Sequence, residues 1–307
     1  MKKVLITSKS CGSGIGREKV RDLFGRRGIE ADLCELKRAG DALGEYDGII
    51  VGMDSFGEEE FVRAKKLKVI MKYGVGVENI DRISADKRGV LVKNMPGVNH
   101  DAVAEMALSL LLCTARRVAE GDRRVREGTW PRLLGTSLKG KTMGIVGTGA
   151  IGQTLAGYLE GFAMTLLGYD LFPDAGFEEL GGSYVSFDEL LRRSDFISIH
   201  VPLTERTYHM FNQTAFGKMK KSAVLINTAR GAVVDENALK YALENGMIAG
   251  VGMDVFEKEP AWDSPLIGLE RVVATPHIAA SSRETMETMD RLCVKIMAES
   301  LFPAGSA

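Results

Sequence analysis

Apolar and polar positions alternate between two periods along this chain. Short β-branched runs, VLIT (4–7), GIIVG (48–52) and KVIMK (68–72), have the length and composition of buried strands. Between them, REKVRDLFGRRG (17–28) and EEEFVRAKKL (58–67) place apolar residues on one helical face. A longer helix is predicted at about 100–118, HDAVAEMALSLLLCTARRV, with Asn99 and Asp101 as candidate caps and the turn MPG (95–97) before it. It is apolar around most of its circumference, so burial between domains or subunits is expected. A second series begins at 140: TMGIVG (142–147), TLLGYD (165–170), FISIHV (196–201), AVLINT (223–228), AGVGMDVF (249–256) and VVATP (272–276), with helical patterns in the gaps and a last helix at about 281–300. Strand and helix in repetition predict an α/β fold with parallel sheets covered by helices.

At 307 residues, the chain is long enough for two domains. It is 45% hydrophobic and 26% charged, with a formal net charge of −1, and gives no sign of nucleic-acid or membrane binding. The basic cluster RRVAEGDRRVR (116–126) reads as a solvated helix face. MKKVLITSKS is too short in apolar residues for a signal peptide, and a cytoplasmic protein is expected. Cys11, Cys34, Cys113 and Cys293 are scattered, so neither disulfides nor a metal site is expected.

Two glycine-rich loops follow predicted strands. CGSGIG (11–16) is one residue short of G-x-G-x-x-G and reads as an ordinary flexible turn. GTGAIG (147–152) fits through Gly147, Gly149 and Gly152. Here the first glycine permits a tight turn, the second a close approach to a pyrophosphate, and the third close helix–sheet packing. The helix N-terminus then offers N–H groups to phosphate. Asp170 ends the next strand 18 residues past Gly152, where a carboxylate accepts hydrogen bonds from ribose hydroxyls. No arginine in LFPDAG (171–176) could receive a 2′-phosphate, so NAD(H) is expected over NADP(H).

Hydride exchange with a hydroxy acid needs a proton carrier, a cation for the carboxylate and a group that supports the charged carrier. Of His100, His200, His209 and His277, the last follows VVATP directly, at a carboxyl end of the sheet where ligands bind. His200 reads as lying inside its strand and structural. Arg230 follows AVLINT, placing a bidentate guanidinium at the same edge. Glu259 and Glu257 are equal candidates to partner His277.

These stretches resemble the D-isomer-specific 2-hydroxyacid dehydrogenases over nearly the whole chain. The resemblance rests on YGVGVENID (73–81), the 147–152 loop with Asp170, HVPLT (200–204), INTARGAVVDENAL (226–239), GMDVFEKEP (252–260) and TPHIAAS (275–281). It implies Arg230, Glu259 and His277 as the catalytic set, which selects Glu259 over Glu257. It implies cofactor contacts from Gly147, Gly149, Ala150, Ile151, Gly152, Asp170, Val201, Pro202, Thr207, Thr228, Ala229, Asp254 and Ala279, and substrate contacts from Lys72, Tyr73, Val75 and Gly76. It implies a Rossmann-type dinucleotide-binding domain (99–282) inserted into a flavodoxin-like substrate domain (1–98 and 283–307), with the active site in the cleft between them and a homodimer built on the long helix.

Within the family, 68–99 is most similar to phosphoglycerate dehydrogenases, although Lys72 stands where those enzymes carry Arg and Tyr73 where a small residue is common. The chain stops at 307, so no regulatory domain and no serine feedback are expected. The alternative is a glyoxylate/hydroxypyruvate reductase or another small 2-keto acid reductase, discriminated by whether Lys72 points into the cleft. A formate dehydrogenase fits less well, because that branch carries Gln at the place of Glu259. From another class, an NAD(H)-sensing corepressor-like binding protein would keep the same residues without turnover.

Overall fold

A computed structural model describes residues 1–303 and divides the chain into two compact units, Met1–Asn99 with the segment from Ser281 onward, and His100–Ala280.

The first unit begins with β1 (Lys2–Ile6), α1 (Arg17–Gly25), β2 (Ile29–Leu33), α2 (Leu36–Ala39), β3 (Gly48–Val51), α3 (Glu58–Arg63), β4 (Val69–Lys72), α4 (Arg82–Lys87) and β5 (Leu91–Lys93). Its five strands are all parallel, in the order β2-β1-β3-β4-β5. The central strands β3 and β4 are buried at every position, as expected of a sheet covered on both faces.

The second unit opens with α5 (His100–Ala115) and α6 (Val118–Arg126), followed by β6 (Thr142–Val146), α7 (Ala150–Tyr158), β7 (Thr165–Tyr169), α8 (Ala175–Glu179), β8 (Gly182–Tyr184), α9 (Phe187–Arg193), β9 (Phe196–Ile199), α10 (Gln213–Lys218), β10 (Val224–Asn227), α11 (Glu236–Glu244), β11 (Gly250–Met253) and β12 (Val272–Ala274). Seven parallel strands lie in the order β12-β11-β10-β9-β6-β7-β8, which is the doubly wound order with its reversal between β6 and β9. α5 packs on β10, β11 and β12 and against α7, so much of its apolar surface is used inside its own unit. α6 carries no buried residue, in keeping with a solvated face.

From Ser281 the chain belongs to the first unit again. α12 (Arg283–Leu301), capped by the Ser282 hydroxyl on the Thr285 amide, packs against α1 and β4. Its Met289, Cys293, Val294 and Met297 join Val4, Ile6, Phe24, Ile50, Val69 and Met71 in one core. Truncating such a side chain to Ala costs about 2–5 kcal/mol. Among the described residues no helix is long and apolar enough to cross a membrane.

Candidate functional site

Register places the site. Tyr169, Val146, Ile199, Asn227, Met253 and Ala274 stand level across the second sheet. The next residue on each strand therefore falls on one edge: Asp170, Gly147, His200, Thr228, Asp254 and Thr275. These are the carboxyl ends at which open α/β sheets bind ligands. His200 stands just past its strand, which ends at Ile199, and not inside it as the sequence suggested.

Gly147 leaves β6 at φ +95°, and a Cβ there would sit 2.7 Å from the His200 carbonyl carbon. Only glycine turns the chain at this point. The N-cap of α7 is Gly149, with no side chain capping the helix and nothing within 4 Å of where its Cβ would lie. An uncapped helix start with space in front of it suits a pyrophosphate. Asp170 is oriented by the Thr148 amide (2.8 Å) on one oxygen and the Phe172 amide (2.9 Å) on the other. Each carboxylate oxygen keeps accepting capacity for a ribose hydroxyl. The residues present thus fit a dinucleotide. Pro202 is the acceptor of a 2.6 Å bond from the Thr207 hydroxyl, which closes the turn after Val201.

The catalytic candidates come together on the same edge. The Asn227 side chain, fully buried, accepts from the Ala229 amide (3.0 Å) and donates to the Arg230 carbonyl (2.9 Å), shaping the turn that carries Arg230. His277 Nδ1 lies 2.7 Å from Glu259 Oε2, and Glu259 Oε1 accepts from the Phe256 amide at 3.0 Å. Burial pushes the Glu259 carboxyl up, but the hydrogen bond and charge of His277, the Phe256 amide and the charge of Arg230 outweigh it and hold the group below the usual range. Glu257, equal to Glu259 in the sequence, bonds His209 Nε2 (3.1 Å) and the Glu236 amide (3.0 Å) instead.

Asp254 is fully buried. Its oxygens accept from the Thr275 hydroxyl (2.6 Å) and the amides of Ile278 (2.9 Å) and Ala279 (2.8 Å), and its carbonyl accepts from the His277 amide (2.8 Å). It clamps the loop that presents His277 at φ +53°. His200 is held neutral, its imidazole pushed down to about 4 by burial, with Nε2 beside the Ser198 hydroxyl at 2.9 Å. Thr228 is buried among these turns.

In the first unit, Lys72 is 9% exposed, and its ammonium donates to the Gly52 carbonyl (2.6 Å) and Asn79 Oδ1 (2.9 Å). Tyr73 turns its phenol into the core, donating to Asp290 at 2.7 Å. The carbonyl of Val75 accepts from the Asn94 side chain (2.6 Å) and that of Gly74 from the Met95 amide (3.0 Å), fixing the loop that runs on through Gly76.

The family model described as the NAD-binding domain of D-isomer-specific 2-hydroxyacid dehydrogenases matches residues 108–279. The chain belongs to this family. It is 47% identical over 274 residues to a glyoxylate reductase of Thermococcus litoralis, covering 86% of this chain and 81% of that one. It is 40% identical over 275 residues to a D-3-phosphoglycerate dehydrogenase of Archaeoglobus fulgidus, covering 87% of this chain and 52% of that one. The structure of D-lactate dehydrogenase from Aquifex aeolicus, complexed with NAD and lactic acid, superposes with a TM-score of 0.87 at 30% identity, covering 97% and 95% of the two chains. As a D-2-hydroxyacid dehydrogenase, the protein is an NAD-dependent oxidoreductase acting on 2-hydroxy or 2-keto acids.

Sequence reasoning missed Asn227, and it expected Asp254 as a cofactor contact without foreseeing its bonds to the His277 loop. Asn227 had a usable signal, an Asn directly after an apolar strand and before a turn. The clamp made by Asp254 had none, because its partners lie 21 to 25 residues further on.

Proposed function

We propose that the protein reduces a small, unphosphorylated 2-keto acid of the glyoxylate or hydroxypyruvate class. The observation that carries this is Lys72. Its ammonium, the candidate phosphate reader, is turned inward onto Gly52 and Asn79. Each of these bonds given up to a phosphate would cost about 1.5–3 kcal/mol, the range for a hydrogen bond to a charged group. The likeness to glyoxylate reductases points the same way. Phosphoglycerate dehydrogenase, favoured on residues 68–99 alone, becomes the second reading.

In this reading Arg230 binds the substrate carboxylate with its guanidinium fork; in the first unit the proposed substrate contacts are the amides of Val75 and Gly76, whose loop has its carbonyls tied back by Asn94 and Met95. Bound NADH supplies the hydride to the carbonyl carbon. His277 gives its proton to the substrate oxygen from Nε2, since Nδ1 is held by Glu259. The ionised Glu259 stabilises the charged imidazole and fixes its orientation. Gly147, Gly149, Ala150, Ile151 and Gly152 receive the pyrophosphate and Asp170 the ribose, with Val201, Pro202, Thr207, Thr228, Ala229, Asp254 and Ala279 lining the rest. The first unit is then the substrate domain and the second the NAD-binding domain. A homodimer, expected on the long helix α5, belongs to this reading; the exposed Trp130 (87%) and Leu134 (89%) lie in the segment after α6.

NADH oxidation, followed by absorbance with glyoxylate, hydroxypyruvate and phosphohydroxypyruvate, tests the reading. An unphosphorylated acid is expected to win by at least about tenfold in kcat/KM, about 1.4 kcal/mol. A phosphorylated acid winning by that margin would overturn it. Absence of turnover on all three would favour the NAD(H)-sensing binding protein.

A further inference from the structure

Glu257 lost the role of histidine partner to Glu259, yet it is not idle. Its Oε1 accepts from the Glu236 amide at 3.0 Å, while its own amide donates to Glu236 Oε1 at 2.7 Å. Two glutamates 21 residues apart thus satisfy each other's backbone. Glu236, 5% exposed, uses its second oxygen to accept from the Ser264 hydroxyl. His209 adds a third element. Its Nε2 meets Glu257 at 3.1 Å, its Nδ1 lies 3.8 Å from Asp235, its ring stacks on Tyr208 with centroids 4.0 Å apart, and its amide donates to the Ala232 carbonyl at 2.9 Å.

Three segments are therefore joined: 208–211, 230–236 and 254–259. The second starts at Arg230 and the third ends at Glu259. Their backbones also press together at Gly231, where a Cβ would fall on the carbonyl of Phe256 and the amide of Glu257. The amide that orients Glu259 belongs to Phe256, the residue next to Glu257.

We propose that Glu257, with Glu236 and His209, is a positioning set that fixes Glu259 and its bond to His277 relative to Arg230. The charged and titratable groups facing Glu257 are Glu236 and His209, with Asp235 and Tyr208 behind the histidine. Those facing Glu259 are His277 and Arg230. Glu257 touches no reacting atom and acts through the Phe256–Glu259 backbone. The inference rests on the catalytic reading of Arg230, Glu259 and His277.

The test compares Glu257→Ala, Glu257→Gln and Glu257→Ala made in a Glu259→Gln background. Glu257→Ala should lower kcat with the best 2-keto acid by about tenfold or more, raise KM for the acid, and leave NADH affinity within about threefold. The acid limb of the reduction profile, set by ionised Glu259, should move to higher pH as the bonds that hold its carboxyl down loosen. Glu257→Gln keeps an acceptor oxygen and should recover most of the loss. In the Glu259→Gln background the alanine change should add little, because both act through one contact. A lower melting temperature with an unmoved pH profile, or full additivity, would overturn the proposal. A second readout does not need turnover. The chain has four histidines, so the His277 ring signal can be followed by NMR titration. It should shift in Glu257→Ala and return in Glu257→Gln, and a change confined to His209 would overturn the inference. If the parent protein turns over no 2-keto acid, the catalytic reading fails while this titration still decides whether Glu257 positions the Glu259–His277 pair.

Discussion

Replacing Asp254 tests whether the His277 loop is clamped or merely adjacent to a cofactor. The carboxylate is fully buried and serves three donors, two of them backbone amides. Asp254→Asn puts an NH2 group against one of them. Leaving one buried donor unsatisfied costs about 1–3 kcal/mol. Asp254→Ala strands all three, so its loss should exceed that of Asn by a further few kcal/mol, unless water enters. The same bonds support His277 at φ +53°, a backbone state that costs a non-glycine residue of order 1–3 kcal/mol and persists only when its surroundings impose it. Asp254→Asn should therefore lower both stability and kcat. Urea unfolding reads the first, NADH oxidation the second, and NADH fluorescence the cofactor affinity. An Asn variant with unchanged midpoint and weaker NADH binding would refute the clamp and leave only a cofactor contact.

The remaining expectations concern the same edge. His277→Ala should abolish turnover while NADH affinity stays within a few fold if, as proposed, the glycine loop and Asp170 hold the cofactor; collapse of NADH binding would count against the proton-carrier role. Asp170→Ala should weaken NADH binding and narrow its lead over NADPH in parallel titrations, and an unchanged preference would mean the ribose is read elsewhere. His200 is pushed down to about 4 from 6.5, so the unfolded chain binds the proton more tightly than the folded one. The resulting penalty is absent well above pH 6.5 and grows as pH falls toward 4, amounting to about 2 kcal/mol by pH 5. His200→Gln should flatten that part of the difference in urea midpoint between pH 7.5 and 5, and an equally steep variant would show that His200 does not carry it.

What was legible in the sequence follows from burial. The central strands of both sheets are buried on both faces and read as short, mostly apolar runs. The strands IEADL, LVK and GSY were not marked out, because β2, β5 and β8 lie at sheet edges and carry mixed or exposed positions. The glycine loop and Asp170 could be read because their chemistry depends on spacing along one strand–turn–helix. Glu259 and Glu257 could not be separated by spacing, since the choice depends on which way each side chain leaves an irregular segment. In the structure Glu259 turns to His277 and Glu257 to Glu236.

The first glycine-rich loop shows the same limit most clearly. CGSGIG, expected to be a flexible turn, is a backbone cradle with an anion already in it. The amides of Gly12, Gly14 and Ile15 donate to Asp290 at 2.7, 2.9 and 3.0 Å, and the Tyr73 hydroxyl adds a fourth bond. The loop and GTGAIG use one device, successive N–H groups aimed at negative charge. The first is filled by a carboxylate more than 270 residues away in sequence, and the second stands open before an uncapped helix. A phosphate at 11–16 would meet the Asp290 charge at hydrogen-bond distance. The same bond decides Tyr73. Burial and then the bond and charge of Asp290 raise its phenol well above the usual range, so it stays a neutral donor facing α12. A tyrosine committed in this way has only its main chain, and not its phenol, to offer a ligand.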